Sequence, residues 1–115
     1  MSVTRFVNRE RVIELLRQCA RQLVASIPDT RVYLFGSYAT GRPTPRSDAD
    51  VAVVIRGPLP SSPAYPAEVE RLARDIFLQA PVPVDLFVFT EAEFREGAQT
   101  GKGVAGVAAR HGIPL

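Results

Sequence analysis

With 115 residues, 46% of them hydrophobic, the chain has the size of one domain and enough apolar material for a core, which excludes a polymer disordered throughout. Its net charge of +2 comes from 14 basic and 12 acidic residues scattered along the sequence, not gathered into the basic stripe that a nucleic-acid interface needs. A single cysteine, Cys19, rules out an intrachain disulfide and a cysteine-based zinc cluster. The opening MSVTRFVNRER has no apolar h-region, and no run approaches the roughly 20 apolar residues of a membrane span. The expectation is a soluble cytoplasmic protein, with residues 1–115 forming one domain.

In chain order, Asn8 is placed to cap a helix running to about Ser26. Its apolar face is Val12, Leu16, Cys19, Ala20, Leu23, Val24 and Ile27, and Pro28 ends it. Arg31–Phe35 (RVYLF) reads as a short strand, and SYAT after Gly36 as one helical turn. Gly41–Ser47 is loop. Asp50–Ile55 (DVAVVI) is a strand apolar on both faces, and so central in its sheet. A proline-rich connection follows (56–66). A second amphipathic helix then spans about Ala67 to Gln79, with Val69, Leu72, Ala73, Ile76 and Phe77 on its face and Glu70 pairing with Arg74. Val82–Phe89 is a third strand, and Thr90 with Glu93 makes a capping box for a short helix. The glycine-rich tail holds one more helix, Val104–Arg110, and a final extended piece. The fold class is α/β, a small mixed sheet of three to four strands packed with helices, in which the strands of Asp50 and Asp85 can lie parallel through the helix between them.

Two of the five aspartates open the central strand. Residues i and i+2 of a strand share a face, so Asp48 and Asp50 point the same way and repel unless a cation lies between them. Hard oxygen ligands of this kind suit Mg²⁺. Asp85 interrupts an otherwise apolar strand, where a carboxylate needs a partner. If that strand lies beside the Asp50 strand, three carboxylates gather, which suits a two-metal site. Gly36 and Ser37 stand where a strand turns into a helical turn. Backbone N–H groups there favour an anion, the glycine lets a phosphate come close, and the hydroxyl adds a hydrogen bond. Each feature alone has a plainer reading. Asp48 and Asp50 can simply solvate a loop end, Asp85 can be an edge or salt-bridged residue, and Gly36-Ser37 can be a turn. Their conjunction, in this order, is what points to phosphoryl or nucleotidyl transfer.

The stretch FGSYATGRPTPRSDADVAVVI followed by VDLFVF closely resembles the minimal nucleotidyltransferases of the DNA polymerase β superfamily. Their signature is a Gly-Ser at a strand end, about ten residues, Asp-x-Asp opening the next strand, and a third aspartate on a later one. Here ten residues separate Ser37 from Asp48, and the resemblance extends over roughly Val12 to Phe94. It implies a mixed sheet, ATP or another nucleoside triphosphate as substrate, and Mg²⁺, with two ions expected. Asp48 and Asp50 would bind the metals, and Asp85 would bind the catalytic metal and help deprotonate the acceptor hydroxyl. Gly36 and Ser37 would hold the triphosphate. Arg42, Arg46 and Ser47 join the nucleotide-binding set, the arginines offsetting Thr40, which stands where many relatives have arginine. Small members of this family pair with HEPN-domain toxins as antitoxins and transfer AMP to a tyrosine of the toxin, so a HEPN-type partner is implied. The alternatives are an antitoxin that neutralises by binding alone, a nucleotidyltransferase acting on a small molecule, and a different metal-dependent hydrolase.

Other signals carry less. GKGVAG (Gly101–Gly106) matches G-x-G-x-x-G but follows a helix-like segment, not a strand. Lys102 could reach a triphosphate from a flexible loop. His111 reads as a surface residue, Cys19 as core, and Tyr38 as a half-exposed packing aromatic beside the glycine turn, with stacking on a base as its other reading.

Overall fold

The computed structural model describes residues 8–41, 48–57 and 65–115. Helix α1 (Arg9–Ser26) starts where expected, with the Asn8 side chain accepting from the Arg11 N–H. Strand β1 (Thr30–Phe35) leads into a single turn, α2 (Ser37–Thr40), and β2 (Ala49–Ile55) returns beside it. Then come α3 (Tyr65–Phe77), β3 (Val84–Thr90), α4 (Glu91–Thr100), α5 (Gly103–His111) and a two-residue strand β4 (Ile113–Pro114). The predicted capping box at α4 is formed in both directions between Thr90 and Glu93. Glu70 and Arg74 pair on the outer face of α3.

The sheet order is β3-β2-β1-β4. A short connection makes β1 and β2 antiparallel neighbours, while the α3 crossover sets β3 parallel to β2. β2 is therefore internal, as its two-sided apolar pattern requires. The odd-numbered residues of β2, Ala49 through Ile55, share a face with Val32 and Leu34 and are packed under α1 and α3. Leu16 and Leu23 of α1 are fully buried there, each worth about 1.5–3 kcal/mol of burial. Ile13 is buried beside them, so the stripe on α1 is wider than the periodic set.

The opposite face is covered by the α4–α5 hairpin. Phe94 of α4 stacks on Tyr33 at 4.9 Å between ring centroids, Phe35 lies 5.6 Å from Phe87, and Ala108 of α5 packs on Phe35 and Ala52. The hairpin closes tightly. A Cβ on Gly106 would lie 2.3 Å from the Gly101 carbonyl carbon, so only hydrogen fits. The Arg110 guanidinium donates to the Ala98 and Gln99 carbonyls, placing a cation at the negative end of α4. Beyond α5, β4 pairs with β1, and the Leu115 N–H donates to the Val32 carbonyl at 2.9 Å.

Candidate active site

The sheet pairing decides which side chains meet. Phe35, Asp50 and Asp85 are successive cross-strand partners on β1, β2 and β3. Partners in register point to the same face, so Asp50 and Asp85 stand side by side at one end of the sheet, on the face that α5 covers. Asp48 lies two residues back along the chain, just before β2 begins. Asp48 and Asp85 are exposed and Asp50 is half-buried. Burial raises the Asp50 carboxyl above its ordinary range, and the neighbouring charges of Asp85 and then Asp48 raise it further. Among the described residues no three potential metal ligands close on one point. The donors are oxygens of gathered carboxylates, with Asp50 destabilised in its charged form. That is a set a hard cation relieves.

Gly36 is the second element. It leaves β1 at φ +78°, a backbone region that L side chains rarely adopt, and a Cβ there would sit 2.3 Å from Asp50 Oδ2. Backbone and carboxylate are thus in direct apposition. Ser37 follows and opens α2, whose turn is closed by the Ala39 and Thr40 N–H groups donating to the Gly36 carbonyl at 3.1 and 3.0 Å. The Thr40 hydroxyl donates back to the Ser37 carbonyl at 3.2 Å, within its own turn. Arg9 braces the other end of α2, its Nε donating to the Tyr38 carbonyl at 2.6 Å and its Nη2 to that of Ala39 at 3.3 Å. No sequence signal singles out Arg9, because the pairing is tertiary.

Tyr38 corrects one expectation. It is 0% exposed and belongs to the core under α1, so it is not a half-exposed aromatic and cannot stack on a base. Its hydroxyl has no hydrogen-bond partner among the described residues. Burial, and then the charge of Asp48, raise its pKa. Cys19 is core as expected, and burial raises its thiol, which suits a packing residue and not a nucleophile. Arg42, Arg46 and Ser47 lie outside the described residues.

A cavity of about 590 Å³ adjoins these groups, with Phe35, Gly36, Asp50 and Phe87 on the sheet side and Val104 and Val107 of α5 opposite. Val104 and Val107 are 41% and 44% exposed. The backbone of Gly101 and Gly103 also lines it, but the Lys102 between them borders a different hollow, with Glu93, Glu96 and Thr100. The valines are legible in the sequence only as apolar positions three apart in the tail helix.

Asp50 carries a stability consequence. Its folded-state pKa is raised, so the fold prefers the protonated acid. That contribution is complete below the ordinary aspartate pKa of about 3.9 and is lost as pH rises through the raised folded value. At neutral pH the carboxylate opposes folding, so Asp50→Asn should melt at higher temperature than the wild type in metal-free buffer. The gap should narrow as pH falls. Thermal melts between pH 7 and pH 4 measure it, and an unchanged or lowered melting temperature at pH 7 would contradict the account.

The model of the nucleotidyltransferase domain family matches residues 13–110, and the chain belongs to that family. The chain is similar in fold to a candidate nucleotidyltransferase from Sulfolobus solfataricus. The likeness covers 92% of this chain and 80% of that one, with 20% identity and a TM-score of 0.60. Two toxin–antitoxin crystal structures also align. The MntA-HpeT pair in a mutant form shares 25% identity over 96% of this chain and 72% of that one, with a TM-score of 0.49. A toxin–antitoxin structure with AMP-PNP shares 25% identity over 94% and 72%, with a TM-score of 0.45. No curated protein matches the chain in sequence.

Proposed function

We propose that this nucleotidyltransferase domain transfers AMP from Mg²⁺-bound ATP to a hydroxyl of a partner protein, a tyrosine of a HEPN-type toxin, and so acts as its antitoxin. The observation that carries the chemical half is the alignment of Asp50 with Asp85 across β2 and β3, with Gly36 pressed against Asp50. In this reading the Gly36–Ser37 backbone and the Ser37 hydroxyl hold the triphosphate. Asp48 and Asp50 would hold the ions, and Asp85 would share the catalytic one. Mg²⁺, when bound, would neutralise charge on the phosphates. Asp85, exposed on an edge strand, stands where an incoming protein hydroxyl can approach, and accepts its proton. The acceptor oxygen forms a bond to the α-phosphorus, the bond from that phosphorus to the bridging oxygen breaks, and pyrophosphate leaves. The partner half is supported by the resemblance of Gly36-Ser37, Asp48-x-Asp50 and Asp85 to the motif of the minimal antitoxin class.

The test is ATP labelled at the α-phosphate, with Mg²⁺ and the co-purifying partner, against Asp48→Ala/Asp50→Ala. The expected result is label on the partner with the wild type, none with the variant, and release of pyrophosphate. Partner binding without label from any of the four nucleotides would leave an antitoxin that works by occlusion. Label on a small molecule but not on protein would move the acceptor to that class.

A further inference from the structure

Among the described residues only three large hydrophobics are prominently exposed, Leu78, Val104 and Val107, and two of them face the cavity that holds Gly36 and Asp50. Exposed apolar side chains gathered at a site mouth mark a contact surface. Phe35 and Phe87 supply the opposite wall, and apart from Asp50 no polar side chain among the described residues lines the space. We infer that this cavity receives the nucleoside of the triphosphate and holds the base by apolar contact with Val104, Val107, Phe35 and Phe87, so that the protein selects purines by size and barely separates adenine from guanine. The inference rests on the nucleotidyltransferase reading above and deepens it.

Three observations favour the nucleoside over the acceptor. The cavity is continuous with Gly36 and Asp50, so a nucleotide whose phosphates lie there has its sugar and base within reach. Asp85 and Asp48 do not line it, and Asp85 sits at the open β3 edge, which leaves that side for the acceptor. The volume, about 590 Å³, falls within the usual range for a small-molecule site. The selectivity follows from the lining. Large discrimination between bases needs buried polar groups that a wrong base leaves unpaired, whereas apolar walls distinguish ligands mainly by how much surface they cover.

Val107→Trp tests the idea, because Val107 is 44% exposed and a larger side chain there fills the cavity without entering the core. Binding of Mg²⁺-ATP and of Mg²⁺-tripolyphosphate is measured for both proteins, alongside their melting temperatures. The expected result is a loss of ATP affinity of about tenfold or more, with tripolyphosphate binding unchanged. In the wild type, ATP and GTP should bind within roughly threefold of each other, and CTP and UTP roughly tenfold more weakly. Should the tryptophan variant fail to fold, the double substitution Val104→Ser/Val107→Ser reads the same contrast. Wild-type ATP affinity in the variant overturns the inference, including the case where labelling of the partner is blocked, which would give the cavity to the acceptor. Equal loss of ATP and tripolyphosphate overturns it too, as does a gap between ATP and GTP beyond about 100-fold, which would mean a hydrogen-bonded base. If the wild type binds neither ligand, the nucleotidyltransferase reading fails, and this inference with it.

Discussion

Asp50→Ala should reduce nucleotidyl transfer by about 10³-fold or more while leaving the protein folded. The size of the effect follows from position. Asp50 is the middle member of the row Phe35–Asp50–Asp85, it touches Gly36, and it feels the charge of both other aspartates. On the proposed reading, removing it would take away a metal ligand and open a gap beside the turn that would hold the phosphates. Metal affinity, nucleotide affinity and turnover should fall together. Asp85→Asn should behave differently. Asp85 is exposed on the edge strand, away from Gly36, so its loss should lower the transfer rate while ATP binding stays close to wild type. Single-turnover labelling read beside nucleotide titration separates the two patterns. Because Asp50 in its charged form opposes folding, neutral substitution there cannot be dismissed as an unfolding artefact. In metal-free buffer the Asp50→Asn protein should be the more heat-stable one even as its transfer activity is lost.

Gly36→Ala should be nearly as damaging by a different route. The positive φ alone introduces strain of about 1–3 kcal/mol. The added methyl would also arrive 2.3 Å from Asp50 Oδ2, so either the carboxylate or the turn must move. Transfer should fall by at least about 100-fold, since small displacements at a reacting site cost that much. Gly57 is the internal control. It has a similar φ of +74°, but a methyl added there would meet nothing within 4 Å among the described residues. Gly57→Ala should therefore show the backbone strain in its melting temperature and keep its activity. Equal activity losses in the two variants would mean that contact with Asp50 is not what Gly36 provides.

Much of this arrangement is readable in the sequence because local and long-range signals agree. A strand apolar on both faces must be internal, and a carboxylate in the next apolar strand must find company, so β2 and β3 are neighbours with Asp50 and Asp85 together. The capping box of Thr90 and Glu93 is local chemistry and needs no partner. Tyr38 departs from its expected exposure because it lies in a polar, turn-like stretch. What buries it is α1 crossing over it, and Arg9 reaching down to its carbonyl, neither of which leaves a trace in nearby residues. β4 is two residues long and held by its pairing with β1, too short for periodicity to register. The valines of α5 look like any core pair until the hairpin closure at Gly106 turns Ala108 inward and leaves them facing the cavity.

The parallel register of β2 and β3 also limits how the gene can vary in length. Ala49 donates to the Pro83 carbonyl at 2.9 Å, fixing where β3 enters the sheet. Side chains alternate faces with every residue. Inserting or deleting one residue between Phe77 and Val84, with the first pairing held at Ala49, would move every side chain of β3 to the other face and turn Asp85 under α3, into the core. Two residues would restore the face but shift the carboxylate along the sheet by roughly 6.6 Å, beyond the reach of a shared ion. Homologous chains that keep this chemistry should therefore differ freely in the proline-rich connection at 56–66 and hardly at all in the length of the segment from 78 to 83.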